Sequence, residues 1–162
     1  MALEEVRIDE RTRAEAEEAR RLEWQGCIAE LLDPARNVFR EDARRLDVTV
    51  TEQATLLDLY DASCTLVEHV RLPRNALKDL IAEYVDVVRE LARQEGPGGL
   101  ARMEALDMAK KVVHDKAGRV VRRYCRGFGI DHETARRLFT LLLSLRVDTT
   151  RLVGIHGHRR VK

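Results

Sequence analysis

Apolar residues recur at helical spacing early in the chain. Trp24, Cys27, Ile28 and Leu31 share one face, opposite Glu17, Glu18, Arg20 and Arg21. This predicts a helix over about 12–32, ended by Pro34. Thr12 and Glu15 open it as a capping box, each side chain taking an otherwise unpaired N–H of the first turn. Between Leu46 and Leu72 the period changes to two. Val48 and Val50 alternate with Thr49 and Thr51, and Leu57, Leu59, Leu66, Val67 and Val70 follow. Turn-forming residues at Glu52-Gln53 and Asp61-Ala62-Ser63 divide this run into strands of about 46–52, 55–60 and 64–71. Connections this short cannot cross over, so the three strands form an antiparallel meander.

The remaining pattern is helical. Leu77, Leu80, Ile81, Tyr84, Val88 and Leu91 predict an amphipathic helix over about 74–94, with Pro73 at its entrance. Gly96-Pro97-Gly98-Gly99 breaks it. A third helix runs from about Leu100 to Lys116, with a continuation to Cys125 allowed by the pattern. Gly127 and Gly129 interrupt the chain, Asp131 is a good N-cap, and a fourth helix covers about 132–146. Ala135, Leu138, Phe139, Leu141, Leu142, Leu143 and Leu145 make that helix apolar around most of its circumference. It is either a central core helix or part of an oligomer interface. From Val147 to Lys162 apolar periodicity stops, which predicts a basic, mobile tail after a domain of residues 1–146. The fold class expected is α+β: an N-terminal helix, the three-stranded meander, and three C-terminal helices covering one sheet face.

Composition narrows the class without naming a role. The 162 residues are 44% hydrophobic and 35% charged, too apolar for a disordered chain and long enough for one core without disulfide or metal staples. No run approaches a membrane span and the N-terminus shows no secretory pattern, so a cytoplasmic protein without membrane partners is expected. Cys27, Cys64 and Cys125 lie far apart with no C-x-x-C pair and are expected to be buried free thiols. The net charge of +1 conceals a polarity: residues 1–81 carry 12 basic and 18 acidic side chains, and residues after Ala109 carry 14 and 4.

Ile130-Asp131-His132-Glu133-Thr134-Ala135-Arg136-Arg137-Leu138-Phe139-Thr140-Leu141 resembles the closing motif of a bacterial family, uncharacterised protein family 0262. Met103-Glu104-Ala105-Leu106-Asp107-Met108 followed by His114 is similar to that family's preceding helix, and Leu77-Lys78-Asp79 after Pro73 matches more loosely. The turn at Asp61-Ala62-Ser63 is shorter than the family's loop, Leu72 replaces a threonine, and the tail after Arg146 extends past the usual end. The family has no established activity, so the resemblance implies a fold and no catalytic residues.

Arg119, Arg122, Arg123 and Arg126 share one helical face, and Arg136 and Arg137 open the next helix, whose N-terminal N–H groups favour anions. Together they are a candidate site for a phosphate ligand or a nucleic-acid backbone. The competing reading is a solvated face paired with the acidic N-terminal half, within the molecule or across a dimer. His114 is a candidate general base, with Asp107 two turns earlier and Glu104 before it on the same stripe. A helix-surface histidine is the commoner meaning of that pattern. His156 and His158 could ligate a metal, but two ligands fall short of a zinc site. Ser63-Cys64 offers a nucleophile without a base, and no P-loop, H-E-x-x-H, G-x-S-x-G or dinucleotide motif occurs. No cofactor is implied.

The function expected is therefore a non-catalytic interaction or regulatory module. Phosphate-ligand or nucleic-acid binding through the basic helices is the second reading, and a small enzyme centred on His114 the third. Exposed sheet edges favour a homodimer, and a protein partner is the other interaction expected.

Overall fold

The computed structural model describes residues 2–93 and 99–152. Glu5-Val6-Arg7-Ile8 alternates exposed and buried positions and forms a strand, β1 (Glu5–Ile8), additional to the three expected. Two helices follow, α1 (Glu10–Glu15) and α2 (Glu18–Leu31), in place of one helix over 12–32. The chain is extended at Ala16 and Glu17, which separates them. The capping box at Thr12 and Glu15 is not formed. Asp9 caps α1 instead, accepting from Thr12 N at 3.1 Å and Thr12 Oγ1 at 2.9 Å. Its other oxygen accepts from Val50 N at 3.0 Å, so one carboxylate fastens a strand end and starts a helix. Burial pushes the Asp9 carboxyl up, but these hydrogen bonds outweigh it and hold the group below its ordinary range.

The meander follows as β2 (Arg45–Val50), β3 (Ala54–Tyr60) and β4 (Leu66–Pro73), paired antiparallel in sequence order. β1 pairs parallel with β2, in register Val6 to Leu46 and Ile8 to Val48, so the sheet is mixed and four-stranded, ordered β1-β2-β3-β4. The passage through α1 and α2 supplies the long crossover that a parallel pair requires. One sheet face presents Val6, Ile8, Leu46, Val48, Leu57, Leu59, Val70 and Leu72 to the core. The other face carries polar and charged side chains, including Arg45 bonded to Asp47 at 2.9 Å and stacked 4.2 Å over the Tyr60 ring, and His69 bonded to Asp58.

The helices α3 (Arg74–Arg93), α4 (Gly99–Tyr124) and α5 (His132–Arg146) complete the fold. The expected break at Gly96-Pro97-Gly98 lies outside the described residues. α4 is continuous through Gly118, and a short 3-10 turn at Arg126–Phe128 leads to Gly129, whose φ of +67° suits glycine. Gly127 leaves room for the Glu68 side chain, which a Cβ would overlap. Of the two roles open to α5, the structure shows the core one: Leu138, Phe139 and Leu141 to Leu145 are all buried, and α5 packs against α4 and α2. Trp24 Nε1 and an Arg20 guanidinium N–H each donate at 3.0 Å to Ser144 O, tying α2 to the end of this helix.

Packing continues beyond Arg146, where the tail was expected to begin. A 3-10 turn at Thr149–Arg151 contacts α2, and Thr149 and Leu152 are buried. The remaining tail lies outside the described residues. Cys27 and Cys125 are buried as expected, whereas Cys64 is exposed in the turn before β4. Burial pushes the Cys125 thiol up to about 12. Among the described residues, no helix is long and apolar enough to cross a membrane.

A core centred on α5 makes a definite prediction. Phe139→Ala leaves a void among fully buried side chains and is expected to cost about 3–5 kcal/mol in urea unfolding. Met108→Ala, at a side chain 62% exposed, is expected to stay within about 0.5 kcal/mol of the parent protein.

Candidate functional site

The α4–α5 junction positions every cation singled out in the sequence. Asp131 caps α5, accepting from Thr134 N at 2.8 Å, and Thr134 Oγ1 in turn accepts from Val38 N at 2.8 Å. Gly118 lets the two helices approach closely: a Cβ there would lie 2.7 Å from Arg136 Cγ and 3.2 Å from His132 Cε1. The consequence is a division of the six arginines into two groups.

Arg136 and Arg137 are structural in their contacts. Arg136 points back across α4, with Nε 3.2 Å from Asp115 Oδ1, within ion-pair range though poorly aligned for a hydrogen bond. Its Nη1 bonds Glu133 at 3.2 Å and its Nη2 donates to His114 Nδ1 at 3.2 Å. Arg137 donates to Arg36 O at 2.8 Å and Asn37 Oδ1 at 3.2 Å, securing the segment after α2. Desolvation pushes the Asp115 carboxyl up, but its bond to His132 at 3.4 Å and the Arg136 charge hold it below its ordinary range.

Arg119, Arg122, Arg123 and Arg126 are arranged differently. With Gly129, Ile130 and His132 they line an open groove of about 620 Å³ where α4 ends and α5 begins. None of the four is within ion-pair distance of a carboxylate among the described residues. Pairing with the acidic half within the molecule, one arm of the competing sequence reading, is therefore not seen for these four among the described residues. Arg122 and Arg123 occupy the last turn of α4, where the negative end of the helix dipole favours cations. Like charges three and four residues apart oppose one another by roughly 0.2–0.5 kcal/mol per pair, so the cluster is not explained by stability alone. His132 is a groove residue that sequence reasoning missed, because its tie to Asp115 depends on the packing of two helices.

His114 lies in a second concavity of about 320 Å³ between α3, α4 and α5, lined also by Tyr84, Asp107, Lys110, Arg136 and Thr140. Asp107 shares this space but pairs with Lys111 at 3.8 Å, and exposed Glu104 is not among the lining residues. Both ring nitrogens of His114 are engaged. Nδ1 accepts from Arg136, which leaves Nε2–H to face Thr140 Oγ1 at 3.0 Å and Arg136 O at 3.2 Å. The ring also packs between Tyr84 and Phe139, with centroids 5.9 and 5.6 Å away. Burial, then the Arg136 charge, lower its pKa from 6.5 to about 4, so the folded protein holds a neutral imidazole. Burial likewise pushes Tyr84 up to about 12 and pulls Lys110 down. Thr140 and Tyr84 were not anticipated as partners of His114, since they come from neighbouring helices.

No group of three or more metal-ligating side chains occurs among the described residues, and His156 and His158 lie outside them.

The fold and site define an α+β protein with helices on one face of a mixed sheet and an arginine-lined groove at a helix junction. The chain belongs to the uncharacterised protein family UPF0262, whose profile matches residues 1–148. It is 28% identical over 102 residues to a UPF0262 protein of Rhodospirillum rubrum, covering 62% of this chain and 63% of that protein. A Maricaulis maris relative is 28% identical over 125 residues, covering 74% and 77%, and a Paracoccus denitrificans relative is 31% identical over 108 residues, covering 62% of each. No solved structure matches the chain.

The histidine network sets a pH dependence. His114 takes a proton more readily when unfolded, so stability is full above about 6.5, falls as pH drops, and levels off below about 4. The loss is expected to reach about 3 kcal/mol, and His114→Gln should remove it from the stability profile measured by urea unfolding at each pH. Gly118→Ala is expected to destabilise despite its helix propensity, because the new methyl displaces the Arg136 stem.

Proposed function

We propose that this protein is a non-catalytic binding module of the bacterial cytosol that takes up a phosphate-bearing ligand in the Arg119, Arg122, Arg123 and Arg126 groove. The observation that carries this reading is the set of four arginines around one open concavity with no carboxylate among the described residues at ion-pair distance. Guanidinium groups match phosphate oxygens in charge and in forked donor geometry. An anion seated there relieves the mutual repulsion of the cluster and adds charge-assisted hydrogen bonds. Arg136 and Arg137, committed to Asp115, Glu133, His114 and Arg36, hold the junction and do not take part.

The His114-centred enzyme has less support. Its ring nitrogens face Arg136 and Thr140, Asp107 is not its hydrogen-bond partner, and Glu104 does not line the concavity.

Two probes test the proposal and separate its ligand sources: a labelled duplex DNA for a nucleic-acid backbone, and pyrophosphate for a free phosphate ligand. Binding of at least one is expected. With about four phosphates neutralised, DNA affinity should fall about a hundredfold between about 50 and 200 mM salt, from a slope of roughly −0.9 per phosphate. The double variant Arg122→Ala, Arg123→Ala should lose at least tenfold in affinity while its unfolding midpoint is unchanged or slightly raised. No binding of either probe, or binding indifferent to this variant, overturns the proposal. Loss of stability in the variant would mark these arginines as structural.

A further inference from the structure

The outer edge of β1 is a second unfilled feature, independent of the arginine groove. β1 stands first in the strand order and pairs on one side only, with β2. In a parallel pair alternate residues bond to the neighbour, and Asp9 N donates to Val48 O at 2.9 Å. The odd-numbered residues therefore face β2, and Val6 and Ile8 direct their N–H and C=O groups outward. Exposed edges of this kind are templates for another strand. β1 contains no proline and no bulge, and its short length and its charged Glu5 and Arg7 restrict pairing to a strand of complementary charge. Beside it, between β1, α1 and α2, runs a groove of about 690 Å³ with Trp24, Ile28, Ala29 and Leu32 along its helical wall. Next to that wall, Leu22 on α2 is 59% exposed, a large apolar side chain left in water.

Charge selects the occupant. Exposed Glu5 and Arg7 flank Val6 on the opposite sheet face, and they bond each other at 2.6 Å within the chain. If β1 meets a second β1 antiparallel with Val6 opposite Val6, that pair exchanges both of its outward hydrogen bonds. The same register sets Glu5 opposite Arg7 of the other copy, and Arg7 opposite its Glu5. The strand is thus complementary to itself about a twofold axis, with two charge pairs generated by one sequence of three residues. We propose that this protein forms a homodimer by antiparallel β1–β1 pairing centred on Val6, making one continuous eight-stranded sheet, with the groove wall on α2 turned toward the partner.

The full-length protein tests this by light scattering and sedimentation equilibrium. The parent chain is expected to be dimeric. Glu5→Arg makes both positions positive and Arg7→Glu makes both negative, so each variant alone should dissociate at least tenfold more readily. Mixed in equal amounts they should form a heterodimer, because every cross-strand pair is then complementary. An intrachain Glu5–Arg7 role cannot produce that rescue. Val6→Pro deletes an N–H that the monomer does not use, and should give a folded monomer by circular dichroism. A monomeric parent chain, a dimer indifferent to these changes, or single variants that fail to complement each other overturns the proposal.

Discussion

A helix buried on almost every side can exist only if its polar ends are satisfied by the protein itself. α5 meets that constraint, and much of the structure follows from how it does so. Asp131 closes its first turn, and Thr134 spends its hydroxyl on the Val38 backbone. At the far end, Ser144 O accepts from Trp24 and Arg20 of α2. Arg137 reaches the chain that follows α2, so the N-terminal crossover and the C-terminal helix hold each other in place. Unpaired, each of these buried groups would cost about 1–3 kcal/mol.

The same constraint divides the cations of the C-terminal half. Because α5 must approach α4 closely at Gly118, the Arg136 side chain is folded back between Asp115, Glu133 and His114. A cation fixed beside the imidazole adds to the effect of burial and keeps His114 neutral. Arg119, Arg122 and Arg123 of α4, with Arg126 in the turn that follows it, gather instead around the open groove. None of the four is within ion-pair distance of a described carboxylate. The packed junction and the open groove are two sides of one helix contact, one spending its arginines on structure and the other leaving them for a ligand.

Long amphipathic segments were legible from periodicity alone. α3 and α5 and the meander appear within a few residues of expectation, because each buries a continuous stripe. β1 escaped because four residues carry little periodic signal, although Val6 and Ile8 do alternate with Glu5 and Arg7. The split between α1 and α2 was hidden because Thr12 and Glu15 satisfy the capping pattern while Asp9, tied to β2, makes a better cap. At the site, spacing grouped Arg119, Arg122, Arg123 and Arg126, and the four line one groove, Arg126 from the turn after α4. Spacing could not reveal that Arg136 and Arg137 are occupied, that His132 joins the groove, or that His114 faces Thr140, since those facts depend on how separate helices pack.

The central claim is that the arginines of this junction fall into a ligand-binding set and a structural set. Nuclear magnetic resonance of the arginine Nε–Hε groups during titration with pyrophosphate measures that division directly. The account predicts shifts at Arg119, Arg122, Arg123 and Arg126 that saturate together, with Arg136 and Arg137 unmoved. Shifts centred on Arg136 or Arg137, or none at the groove with either pyrophosphate or the duplex DNA probe, would contradict it.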